Sequence, residues 1–276
     1  MKRLKINRVF LILLALVFTV GLTNCNDDSQ VLPDRQYELV WSDEFDGDSA
    51  TKVDATKWTY DLGKGTNGWG NNELQSYTDE TDNVSLDGQG NLVIRAVETS
   101  KGVYTSGRIK TEGLFTQKYG RIEARIKTPA GQGMWPAFWM LGENITQVGW
   151  PQCGEIDIME QRGQQPFTTH GSLHGPNYSA GNAITDDYRL EVGRFDRAFY
   201  TYAVEWGPDF IDFYVDDNLY QQVRPSDAPG EWVYDQPFFI ILNVAVGGSF
   251  VGPPNDNTKF PGAMYVDYVR VYKEIE

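Results

Sequence analysis

The chain has 276 residues, a formal net charge of -14 and 13% aromatic residues. So strong an acidic balance disfavours nucleic acid and anionic polysaccharides, whose fields would repel it, and points to neutral partners. Two cysteines and two histidines are too few for a disulfide framework, a cysteine-based zinc site or a histidine zinc triad.

Lys2, Arg3, Lys5 and Arg8 open the chain, and an apolar run follows from residue 9 to residue 22. A basic start before an apolar run too short to span a bilayer predicts an export signal. At its end Leu22-Thr23-Asn24-Cys25 resembles the lipobox of bacterial lipoproteins, in which cleavage frees a cysteine for lipid; Asn24 departs from the usual small residue. The resemblance implies a signal peptide over residues 1–24 and anchoring to the bacterial cell envelope, at the outer membrane or cell surface, only through lipid on Cys25. Without the lipid the exported chain would be periplasmic or extracellular. Residues 25–36 are polar, contain Pro33 and show no apolar periodicity, which predicts a tether. The remainder, residues 37–276, suffices for one large core, and one domain acting as a monomer is expected.

From Tyr37 onward, short stretches of β-branched and aromatic residues are separated by turn-forming clusters such as Asp87-Gly88-Gln89-Gly90-Asn91. Residues 68–77, Gly-Trp-Gly-Asn-Asn-Glu-Leu-Gln-Ser-Tyr, gather amides, an acid and aromatics in a loop suited to hydroxyl recognition. Arg121 to Lys127 alternates strictly, so Ile122, Ala124 and Ile126 share one face of a strand. In residues 131–140 Trp135 and Trp139 stand four apart among glycines and aromatics, and indole faces of this kind receive the apolar C–H face of a pyranose. Cys153 is predicted to be a small buried hydrophobe. Strands are predicted again over residues 199–206, 210–215, 238–246 and 264–272, and this spacing with almost no helical periodicity predicts an all-β sandwich or jelly roll.

The decisive segment is Gly154-Glu155-Ile156-Asp157-Ile158-Met159-Glu160. On a regular pleat Glu155 and Asp157 share a face, while Glu160 falls on the other and enters the core, where an unpaired carboxylate is costly. One extra residue at about Ile158-Met159, a β-bulge, cancels the shift and lines up three carboxylates. Such a row suits retaining glycoside hydrolysis, with Glu155 as nucleophile, Glu160 as acid/base and Asp157 as a helper that orients a neighbouring glutamate and keeps Glu160 protonated. A solvated acidic strand face is the plain alternative.

With Trp41-Ser42-Asp43-Glu44-Phe45, the Asn-Asn-Glu loop, the Trp-Pro segment, Glu155 to Glu160, and Asp267-Tyr268-Val269-Arg270-Val271-Tyr272 on the page, residues 37–274 resemble the laminarinase-like members of glycoside hydrolase family 16. The resemblance implies a jelly-roll β-sandwich of two antiparallel sheets with a concave substrate cleft. It further implies retaining endo-hydrolysis of a neutral β-1,3-glucan by Glu155 and Glu160, with no cofactor for catalysis. Asn72, Arg108, Trp135, Trp139 and His174 match positions lining the glycone side of the cleft. Glu44, Gly90 and Asp267 stand where a structural calcium ion is held in similar enzymes. The loop read over Ser172 to Ser179 resembles glucan-active members. Mixed β-1,3-1,4-glucan hydrolysis, transglycosylation, and a non-catalytic glycan-binding protein are the alternatives.

Overall fold

The computed structural model describes residues 34–275. The predicted signal peptide, Cys25 and all but the last three residues of the predicted tether lie outside the described residues. Those last residues belong to the folded body. Gln36 pairs with Ile275, and the Arg35 guanidinium stands 2.6 Å from Glu205 and 3.0 Å from Asp212 over the Phe210 ring.

The described chain runs through β1 (Gln36–Asp43), β2 (Thr59–Tyr60), β3 (Ser76–Tyr77), β4 (Val84–Leu86), β5 (Leu92–Ser100), β6 (Val103–Ser106), β7 (Arg108–Lys110), β8 (Gly120–Lys127) and β9 (Met134–Gly142). It continues through β10 (Glu155–Glu160), β11 (Thr168–His174), β12 (Ile184–Arg189), β13 (Tyr200–Gly207), β14 (Phe210–Val215), β15 (Asn218–Val223), β16 (Phe238–Val246) and β17 (Gly262–Ile275). Helix is confined to single turns such as Ile145–Val148. Ser172 to His174, read from sequence as loop, are the end of β11.

Ten strands form one sheet, with β15, β14, β13, β8, β17, β5, β6 and β3 in order, β1 on β17 and β4 on β5. Seven form the other, ordered β12, β11, β10, β9, β16, β7, β2. Alternation explains the layer between them. Ile122, Ala124 and Ile126 of β8 and Tyr202, Val204 and Trp206 of β13 point inward from the larger sheet. Met140 and Phe138 of β9, Ile156 of β10 and Ile240, Leu242 and Val244 of β16 meet them from the smaller one.

All nine residues of β16 are buried, because its outward side chains are covered as well: Phe239 and Ile241 pack with Leu141 and Cys153, and Ala245 with Trp135 and Val251. A strand covered on both sides reads as a continuous apolar run, which is how residues 238–246 stand out in the sequence. Cys153 is fully buried there, and burial beside the Glu155 charge pushes its thiol up to about 11.

Candidate active site

Strand β10 carries the chemistry, and its neighbours explain how. Along β9, Glu155, Ile156 and Asp157 face Leu141, Met140 and Trp139, and then Met159 and Glu160 face Phe138 and Ala137. Ile158 is therefore the extra residue, and the pairing with β11 shifts over the same stretch. Ile158 and Met159, successive in sequence, are both in the core at 1% and 0% exposure. Two inward side chains in a row leave the third, Glu160, outward with Glu155 and Asp157, beside Trp139 and Ala137. The predicted kink is present, and Glu160 does not enter the core.

Each glutamate is held by an indole. Trp135 Nε1 donates to Glu160 Oε1 at 2.8 Å, and Trp150 Nε1 donates to Glu155 Oε2 at 3.0 Å. His174, opposite Glu155 on β11, accepts the Ala180 backbone N–H at Nδ1, 3.0 Å away, so its own proton sits on Nε2 and faces the acids. That nitrogen stands 3.0 Å from Asp157 Oδ2 and 3.7 Å from Glu155 Oε1. It lies off the hydrogen-bonding direction of Asp157 Oδ2, which is buried without a partner.

Burial and mutual repulsion act together on the three acids. Glu155 is pushed up to about 8 by burial and then by the Asp157 charge, against His174 and the Trp150 N–H. Burial and the Glu160 charge raise Asp157 well above the usual carboxylate range. Burial raises Glu160, against His174, the Trp135 N–H and Arg162. The cluster thus resists full ionisation, and one acid is available to donate while another takes charge.

The remaining predicted binding residues flank this row. Trp139 Nε1 donates to Asn243 Oδ1 at 2.7 Å, and Asn243 donates in turn to the Tyr77 hydroxyl. The Arg108 guanidinium is sandwiched between the Trp139 and Trp69 rings, 4.8 and 4.6 Å from their centroids, with Asp61 at 2.8 Å. Arg108 is 8% exposed, so it mainly fixes the two indoles. Asn72, in left-handed backbone with φ 59°, donates to Ser249 Oγ at 3.1 Å and lines a cavity of about 260 Å³ with Leu74, Gly248 and Pro253. Gly248 has φ 98°, and a Cβ there would sit 3.0 Å from Asn71 O and 3.2 Å from the Trp135 ring. Only glycine lets this loop close against the tryptophan.

Trp150 escaped the sequence reading, and Trp69 entered it only as one of the aromatics of the loop over residues 68–77. The signal for Trp150 was its place in Gly149-Trp150-Pro151, a turn immediately before the acidic strand.

The three residues expected to hold calcium belong to the opposite sheet or its margins, and their side chains do not fit that task as they stand. Arg270 clasps the Glu44 carboxylate at 3.0 and 2.8 Å, and Arg125 pairs with Asp267. Gly90 can offer its backbone carbonyl, an ordinary calcium ligand. A calcium ion takes six to eight oxygen ligands, and here both carboxylates are neutralised by guanidinium groups.

Residues 66–270 match the profile described as glycosyl hydrolases family 16. The chain is 43% identical over 253 residues to a β-glucanase of Rhodothermus marinus, covering 87% of this chain and 86% of the relative. It superposes on the laminarinase catalytic domain of Thermotoga maritima with a TM-score of 0.81 at 46% identity, covering 87% of this chain and 100% of that one. For the endo-β-1,3-glucanase of Pyrococcus furiosus the TM-score is 0.82 at 46% identity, with 88% and 96% covered. A β-sandwich whose bulged strand turns three acids to one tryptophan-lined face, matched along most of its length by these proteins, belongs to family 16 of the glycosyl hydrolases.

Proposed function

We propose that the chain is an endo-hydrolase that cuts internal β-1,3 linkages of a laminarin-type glucan with retention of configuration. The observation that carries this reading is the bulge at Ile158-Met159, which sets Glu160 beside Glu155 and Asp157 on a tryptophan-lined face. The names of the similar proteins, laminarinase and endo-β-1,3-glucanase, support the substrate class.

In the first step the Glu155 carboxylate attacks the anomeric carbon as the glycosidic C–O bond breaks, and the Glu160 carboxyl gives its proton to the departing oxygen. A glycosyl ester on Glu155 results. Glu160, now a carboxylate, takes a proton from water, whose oxygen attacks the same carbon and frees Glu155. Two inversions at one carbon leave its configuration unchanged. Burial raises Glu155 and Glu160 alike, so the reactive form is the one with a proton on Glu160 and charge on Glu155, and the Trp150 N–H stabilises that charge. Asp157, between them, supplies the repulsion that discourages full ionisation of the row.

Incubation with laminarin should release a ladder of oligosaccharides. Glu155→Gln should lower turnover by at least about 1,000-fold while leaving glucan binding in place, because it removes the nucleophile and little volume. Wild-type protein that binds laminarin without producing new reducing ends would replace this reading with that of a glycan-binding protein.

A further inference from the structure

Trp150 combines two properties that rarely go together. The residue is 44% exposed, beside the acidic row, while its indole N–H is spent on the Glu155 carboxylate 3.0 Å away. Large aromatic surface is ordinarily removed from water, and close to half of this residue stays open to it. Nor is the side chain loosely placed. Gly149 N–H donates to Ile145 O, Cys153 N–H to Gly149 O and Gly154 N–H to Pro151 O, so the turn carrying Trp150 is tied at both ends. The indole lies 6.0 Å from the His174 ring at 42°.

We propose that Trp150 positions the nucleophile and carries sugar: its N–H fixes one rotamer of Glu155, and its open face receives a pyranose of the bound glucan. This rests on the hydrolase reading above and deepens it. The N–H points at the oxygen that His174 does not approach, so the two groups bracket the carboxylate and leave it little freedom to turn away from the sugar carbon. The hydrogen bond is also stronger to the carboxylate than to the carboxylic acid, which helps the nucleophile hold charge in a buried row of acids. The titratable groups facing Glu155 are Asp157 and Glu160 on its own strand, His174 on β11, Cys153 in the preceding turn and Tyr234 ahead of β16. Asp157 shares a hydrogen bond with Glu155, and the indole N–H is the donor to Oε2 that removal of Trp150 takes away.

The test compares kcat and KM on laminarin across pH for the wild-type full chain, Trp150→Phe and Trp150→Ala, with melting temperatures alongside. Phenylalanine keeps a ring and loses the donor, so the acidic limb of kcat/KM should move up by about one pH unit with KM near wild type. Alanine loses both, and KM should also rise about tenfold. An acidic limb that stays in place in Trp150→Phe, whatever the melting temperature does, overturns the positioning role; an unchanged KM in Trp150→Ala overturns the platform. Wild-type protein inactive on laminarin would instead defeat the hydrolase reading on which both depend.

Discussion

Glu155 and Glu160 each accept from a tryptophan, yet burial still raises both. That tension has a consequence for stability. The folded-state pKa of Glu155, about 8, lies above the unfolded value near 4.3, so folding favours its protonated form. Stability from this group is present in full below the unfolded value and is lost as pH rises toward 8. Glu155→Gln cannot ionise and escapes the loss. Its stability relative to wild type should be close to zero at pH 4 and grow to roughly 4–5 kcal/mol by pH 8. Chemical denaturation across that range reads the difference, and a gap independent of pH would mean that Glu155 is not ionising inside the fold.

At the scale of the strand, β9 and β11 each offer five positions opposite the six residues from Glu155 to Glu160: Leu141 to Ala137 on one side, His174 to His170 on the other. Deleting Met159 leaves Glu-Ile-Asp-Ile-Glu, which fits both ladders without a bulge and still turns all three acids outward. That variant should fold and keep activity on laminarin within about tenfold of wild type. Inserting an alanine after Ile158 should instead cost at least about 100-fold, the contribution of a positioned acid/base. Loss of activity in the deletion variant with the fold retained would show that the bulge does more than restore parity.

Parity was legible because side-chain period two is a property of the chain alone, and so were the strands whose two faces differ, such as Arg121 to Lys127. Sequence placed strands at residues 210–215 and 238–246, and these bounds are the observed ones. What sequence could not show was which outward side chains meet across strands. Arg108 looked like a sugar ligand, but cross-strand packing puts its guanidinium between two indoles. Trp135 was read as a stacking face alone, and sequence did not show that its N–H also holds Glu160. Glu44 and Asp267 were read as oxygen donors for a cation, and sequence did not show that Arg270 and Arg125 engage them. The pairing also shows how the Trp-Pro segment can be a strand in the interior of a sheet. Pairing of β9 with β10 ends at Glu160 and Ala137, so Pro136, which lacks an N–H, lies beyond the last pair.

Across the whole molecule the two sheets divide the work. The larger one supplies the packed backing and holds the start of the fold through Arg35, whose partners Glu205 and Asp212 also engage Arg121 and Arg224. The smaller one carries the acids, the indoles and His174 on its outward face. A net charge of -14 suits a neutral polymer, with recognition left to rings and hydroxyl contacts. The central claim is that Glu155 and Glu160 act in turn on one anomeric carbon, and stereochemistry tests it most directly. Proton NMR of laminarin taken within the first minutes of cleavage, before mutarotation, should show the β-anomer of the new reducing end appearing first. First appearance of the α-anomer would mean that water attacks directly and that Glu155 is not the nucleophile.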